Sequence, residues 1–211
     1  MTGAESALPY IVLAVSAVLL ALLLAHAGEQ RRLRNWGRLA ERNALHLYTG
    51  ATLAIPYISG VYRGRELVMD TAGRRVKKRE VMSTRITLHT RNPMRLSLGI
   101  RDHTYRDTLA ELTGAQDVQT GDPAVDRRFE IRANSEVIAR RVLAGEMLRR
   151  KLLAAGGEGL QIVLGERELR LTKDYIESDV ERLQSWIDLL SDLADIVERQ
   201  APVVLGPPPE V

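Results

Sequence analysis

The sequence predicts an α+β protein: an N-terminal transmembrane helix followed by a mainly antiparallel sheet packed with amphipathic helices. Three observations lead there. An uncharged apolar run from Pro9 to Ala27 stops at Gly28-Glu29-Gln30 and meets Arg31, Arg32 and Arg34. From Leu45 the hydrophobic period changes to two, the period of a half-buried strand. Toward the end the period returns to three and four and closes on a long, wide apolar stripe.

At about 1.5 Å per residue the first run is just long enough for a hydrocarbon core roughly 30 Å thick, and Pro9 sits at its edge, where a helix tolerates proline. Ala25-His26-Ala27 resembles a small-residue cleavage site, so a removable signal has to be weighed against a retained anchor. The leader carries Glu5 and no Lys or Arg, whereas a signal peptide needs a positive leader; the arginines lie on the far side. That asymmetry favours a retained single-pass anchor in a bacterial inner membrane, N-terminus outside and C-terminal domain cytoplasmic.

Glu29 to Asn43 places Leu33, Trp36, Leu39 and Ala40 at helical spacing among Arg31, Arg34, Arg38 and Arg42, a juxtamembrane amphipathic helix weakened by Gly28 and Gly37. Trp36 lies too far beyond the apolar run for an interfacial belt, which assigns it to packing against the domain. Leu45 to Tyr48 reads as a short strand. Tyr57 to Tyr62, a turn at Arg63-Gly64, and Arg65 to Met69 read as a hairpin. Gly73 to Arg79 reads as an exposed basic loop; Thr84 to Thr90 and Met94 to Arg101 alternate as strands, the second with one wet face. Thr104 to Thr113 reads as a short helix, and the turn-rich Ala115 to Gly121 marks a candidate boundary between two subdomains.

Asp122-Pro123 supplies a cap and a first-turn proline for one turn of helix before the strand Arg128 to Arg132. Ser135 to Ala155 reads as helical with a break near Gly145, and Leu160 to Leu171 as a second hairpin. Ser178-Asp179-Val180-Glu181 matches a capping box with Ser178 as the cap. Behind it Val180, Leu183, Ile187, Leu190, Ala194 and Val197 repeat at three and four, flanked by Trp186, Leu189, Leu193 and Ile196. Leu183, Trp186, Ile187 and Leu190 form the candidate interaction face of this helix, turned either to its own sheet or to a partner. The expected organisation is an anchor over 1–28, a juxtamembrane helix over 29–44, a strand-rich part over 45–114, an α+β part over 115–200 and a disordered proline-rich tail over 201–211.

The net charge of +3 conceals a division. Arg63 to Arg106 holds twelve basic and four acidic residues, whereas Ala155 to Val211 holds five basic and twelve acidic. The two parts either face each other or lie at different distances from an anionic leaflet. The absence of cysteine excludes a disulfide framework, a thiolate zinc site and a cysteine nucleophile. His26, His46, His89 and His103 fall in separate segments without a second ligand at metal spacing, and no metal or cofactor is assigned. The sequence contains no phosphate-binding loop, dinucleotide fingerprint or nucleophile elbow.

Two features remain as candidates for chemistry. Asp122 and Asp126, one helical turn apart, form a carboxylate pair of the kind a hydrolase uses, although Asp122 also has a capping task. Arg74, Arg75, Lys77, Lys78 and Arg79 form a candidate contact for anionic lipid or nucleic-acid phosphates. No aromatic side chain interleaves that basic run, so base stacking has no platform and nucleic acid is the weaker option.

The stretch Gly121-Asp122-Pro123-Ala124-Val125-Asp126-Arg127-Arg128-Phe129-Glu130-Ile131, followed by a helix and a Leu-rich hairpin, resembles a pattern in bacterial membrane-anchored proteins of uncharacterised function. In them an acidic-aromatic stretch, D..FD..F.V, introduces a helix and then a hairpin; Val125 stands here in place of the first aromatic. The resemblance spans Gly121 to Leu171. It implies a bacterial membrane protein with an accessory domain and no particular site. The sequence as a whole favours a non-catalytic interaction domain held at the bilayer, with a protein partner or a second copy of the chain as its binding partner.

Overall fold

The computed structural model describes residues 8–50, 55–76, 79–103, 115–157 and 159–200, with the backbone alone at 8–12, 74–76 and 79–80. The helix expected over Thr104 to Thr113 and the tail from Pro202 lie outside the described residues. The first element, α1 (Leu8–Arg42), is one unbroken helix that joins the anchor and the juxtamembrane segment. Its stretch from Leu13 onward is long and apolar enough to cross a membrane, and the apolar window is wholly exposed. Farther along, Trp36, Leu39 and Ala40 are buried in the domain core. The helix stops where the Asn43 side chain takes the Leu39 carbonyl at 2.8 Å and Ala44 turns the chain with a φ of 53°.

Nine strands follow: β1 (His46–Tyr48), β2 (Tyr57–Tyr62), β3 (Arg65–Val76), β4 (Arg79–His89), β5 (Leu98–Asp102), β6 (Gln116–Asp117), β7 (Phe129–Ala133), β8 (Gln161–Leu164) and β9 (Glu168–Lys173). They form one antiparallel sheet in the order β1-β2-β3-β4-β9-β8-β5-β7-β6. Strands from the two sides of Ala115 interleave, because β5 lies between β8 and β7. The register aligns one apolar row, Ile58-Met69-Ile86-Leu171-Ile162-Ile100-Ile131, across seven strands. A second row, Leu67-Leu88-Leu169-Leu164-Leu98-Ala133, runs beside it. With a side-chain period of two, both rows lie on one face of the sheet. The opposite face carries cross-strand ion pairs, Arg85 with Asp70 and Arg101 with Glu130.

Three expectations along the sheet need correction. The loop expected over Gly73 to Arg79 is strand at its described residues: Gly73 to Val76 belong to β3 and Arg79 to β4, paired through Arg75↔Glu80 and Val76↔Arg79. The strand expected from Met94 starts only at Leu98, because Arg95 turns the chain with a φ of 51°. The face of that strand opposite the core is only partly exposed, with Arg101 half-buried and Gly99 buried. The hairpin between β2 and β3 does turn at Arg63-Gly64, with φ of 48° and 78°, the two positive values of a tight turn that matches strand twist.

The helices α2 (Pro123–Arg128), α3 (Glu136–Val142), α4 (Glu146–Ala155) and α5 (Val180–Arg199) complete the fold. The break expected near Gly145 separates α3 from α4. The central helix is α5, which touches α1, α3, α4, β4 and β9. Its cap is Asp179, not Ser178: the Asp179 side chain accepts from the Arg182 amide at 2.9 Å. Ser178 is held outside the helix, its amide bound to Glu177 at 2.7 Å and its carbonyl to Asn35 at 2.9 Å. The face Leu183, Trp186, Ile187 and Leu190 is at most 1% exposed, so the chain's own sheet and helices occupy it and no partner can use it in this fold. Leu190→Ala should cost about 2–5 kcal/mol and Trp36→Ala about 3–5 kcal/mol through cavity formation, measurable by denaturant unfolding of the full chain in detergent.

Candidate functional site

The place where α1 enters the domain is built around Glu177, which the sequence did not single out. Lys173 ends β9 and Val180 begins α5, so Glu177 occupies the short connection between sheet and helix. It is 6% exposed. Its amide donates to Thr84 Oγ1 on β4 at 2.8 Å, and its carbonyl accepts from Trp36 Nε1 on α1 at 2.9 Å. Its carboxylate accepts from the amides of Ser178 and Asp179 at 2.7 and 2.8 Å and from Arg182 Nη1 at 2.9 Å. Thr84 Oγ1 donates in turn to the Tyr175 carbonyl at 2.8 Å. One residue therefore ties sheet, α1 and the start of α5, where a negative charge is also favoured by the helix dipole.

Beside this joint a cleft of about 440 Å³ is lined by Arg31, Arg34, Arg38, Asp179 and Glu181. Arg42 pairs with Glu181 at 2.6 Å, and Asn43 Nδ2 donates to Gln184 at 2.7 Å. The cationic side of α1 thus lies along the acidic start of α5.

At the far end of α5 the two oppositely charged parts of the chain meet. Arg63 bonds Asp188 and Asp192 at 3.1 and 2.9 Å, and Lys151 also pairs with Asp192. Arg65, only 12% exposed, reaches Asp195 at 2.6 Å and grips Glu198 at 2.7 and 3.1 Å. The Arg65 guanidinium, helped by the Arg91 amide and the Thr90 hydroxyl against an opposing burial cost, holds the Glu198 carboxyl down at about 2. The same contacts raise the Arg65 pKa. Next to this network lies an open cleft of about 1090 Å³, lined by residues that include Arg63, Arg91, Arg167, Glu166 and Arg199. The spacing of Asp188, Asp192 and Asp195 at four and three was a legible signal of an acidic stripe; its partners were not.

The proposed carboxylate pair is committed to local structure. Asp122 caps α2 through the amides of Ala124 and Val125 at 2.9 and 3.4 Å and meets Arg149 at 3.2 Å. Its pKa is lowered, chiefly by the Ala124 amide. Asp126 accepts from the Thr120 amide and hydroxyl at 2.8 and 2.7 Å and from the Gly121 amide at 3.1 Å. Neither lines either cleft. Of the basic run, Arg74, Arg75 and Arg79 lie on paired strands, while Lys77 and Lys78 fall outside the described residues. His46, His89 and His103 are exposed, and among the described residues no three potential ligands cluster as a metal site.

No family model matches the sequence, and no curated protein does. In the fold, the chain is similar to the crystal structure of the mycobacterial trehalose monomycolate transport factor A, with a TM-score of 0.57 and 10% identity, covering 82% of this chain and 97% of that one. At this identity the likeness concerns the fold alone.

Two measurements test the joint and the network. Thr84→Val keeps the shape but leaves the buried Glu177 amide without an acceptor, and should cost about 1–3 kcal/mol in denaturant unfolding. Because Glu198 has a folded pKa of about 2 against an ordinary 4.5, its contribution is complete above about pH 4.5 and is lost as pH falls toward 2. Glu198→Gln should remove on the order of 2 kcal/mol at neutral pH, discounted for partial exposure, and flatten the acid limb of the stability profile over that window.

Proposed function

We propose that this chain is a single-pass bacterial inner-membrane protein whose cytoplasmic α+β domain is a non-catalytic accessory module for other membrane components. The observation that carries the reading is the continuity of α1. Its exposed apolar part and its buried Trp36, Leu39 and Ala40 belong to one helix, so the domain is a rigid extension of the membrane segment. A flexible tether would only concentrate a domain near the bilayer; a shared helix also sets its height and tilt.

Further support comes from the positive flank Arg31, Arg32 and Arg34, which favours a cytoplasmic domain. The carboxylates Asp122 and Asp126 are used as cap and loop clasp, so the hydrolase alternative has no assembled site to stand on. The structural neighbour is named as a transport factor, and by analogy of fold we extend an accessory role, without its cargo, to this chain. A protein partner or a second copy would have to use surfaces other than the occupied face of α5.

The full-length protein should resist alkaline carbonate extraction, and a reporter fused after Val211 should signal from the cytoplasm. Release by carbonate, or an external signal, would reject the anchored orientation.

A further inference from the structure

The end of the domain that α1 enters carries a second projection. β2 leaves β3 beyond Ile58↔Met69, and β9 leaves β4 beyond Thr84↔Lys173, while β3 and β4 stay paired to Val76↔Arg79. Past Thr84 the two strands have no flanking strand among the described residues and run on as a two-stranded ribbon. Its outer end carries Arg74 and Arg75 on β3 and Arg79 on β4, against Glu80 as the single acidic residue there.

The contacts at its root give its direction. Thr84 and Trp36 both bind Glu177, so they lie at one level of the domain. From that level α1 runs on to Asn43, which binds Gln184, and Gln184 also binds the hydroxyl of Tyr62 at the far end of β2. Trp36 to Asn43 therefore runs away from the ribbon, and the reverse direction, from Trp36 back toward Gly28, runs with it. Gly28 is eight residues from Trp36, about 12 Å at the helical rise. Arg79 is five residues from Thr84, about 17 Å at the strand rise. Along its own axis the ribbon is thus longer than the stretch of α1 between Trp36 and Gly28.

We propose that this ribbon, with Arg74, Arg75 and Arg79 at its outer end, is an arm that binds the anionic headgroups of the leaflet holding α1. The inference rests on the anchored orientation proposed above. A single helix leaves the domain free to rotate about the helix axis. A second, electrostatic contact removes that freedom and turns one fixed side of the domain toward its neighbours in the membrane. Attraction to an anionic surface falls off within a Debye length, roughly 8 Å at physiological salt, so the reach of the ribbon is what makes its charges effective. Exposed Arg31 and Arg34 on α1 add to the same cationic end.

The chain has no cysteine, so Val81→Cys on the ribbon and Val61→Cys near the far end of β2 each provide a single labelling site. Full-length protein is reconstituted into phosphatidylcholine nanodiscs, with or without phosphatidylglycerol, that contain a headgroup-attached quencher. The Val81 label should be quenched more than the Val61 label, by about threefold more with anionic lipid, and the gain should vanish in molar salt or on R74E/R75E/R79E. The R74Q/R75Q/R79Q variant removes the charges without adding repulsion and gives the same reading if the acidic variant unfolds. Equal quenching in neutral and anionic discs overturns the lipid arm while leaving the anchor intact. Stronger quenching at Val61 overturns the direction assigned to the ribbon, and carbonate-extractable protein overturns the anchored reading itself. Salt-sensitive binding of a DNA or RNA oligonucleotide that the substitutions abolish, with lipid quenching unmoved, assigns the ribbon to nucleic acid and overturns the proposal.

Discussion

The structure depends on one helix that is exposed and apolar over one part of its length and buried in the domain over another. Over its exposed apolar length α1 is suited to lipid, where every backbone group is satisfied within the helix and no polar face is needed. A few turns later the same helix must fit a protein core, and Trp36 makes the change. Its ring is fully buried, and its indole N–H has a partner in the Glu177 carbonyl, which removes the cost of burying that donor. Glu177 is itself fastened to β4 and to the start of α5, so the orientation of α1 is set by the sheet. The domain has no hinge at this point to absorb a change in either part.

The sheet can play that role because its apolar residues stand in continuous rows on one face. Ile58, Met69, Ile86, Leu171, Ile162, Ile100 and Ile131 come from seven strands, and a register slip of one residue in any of them would turn its apolar side to water. Packed on that face, α5 uses its apolar stripe for the core and its acidic stripe for Arg63 and Arg65. These ion pairs are unequal. Arg42 and Glu181 are half or more exposed, and such a pair contributes little, whereas Arg65 is nearly enclosed and its loss would take the shared guanidinium from two carboxylates. The charge division along the chain is therefore partly a folding device, in which basic strand ends meet the acidic helix.

Local patterns were readable wherever the physics is local. The Arg63-Gly64 turn, the Asp122-Pro123 helix start and the break before Glu146 all follow from the backbone preferences of a few adjacent residues. Readings failed where a distant partner decided. Ser178 has the chemistry of a cap, but Asn35 and Glu177 hold its carbonyl and amide, and the helix begins after Asp179 instead. Arg74 to Arg79 has the composition of a loop, yet β3 and β4 stay paired as far as Val76↔Arg79. Leu183 to Leu190 could have faced a partner, and only packing shows that the sheet takes that face.

By itself the sequence determined an apolar N-terminal helix, its asymmetric charge flank, the alternation of strands and the amphipathic final helix, because these are written in periods of two and of three to four residues. Tertiary structure decided the strand order, the joint at Glu177, the partners of Arg65 and the ribbon that continues beyond its neighbours. Each of these brings together groups far apart in the chain, and their free energy comes from mutual burial and pairing that no single segment contains.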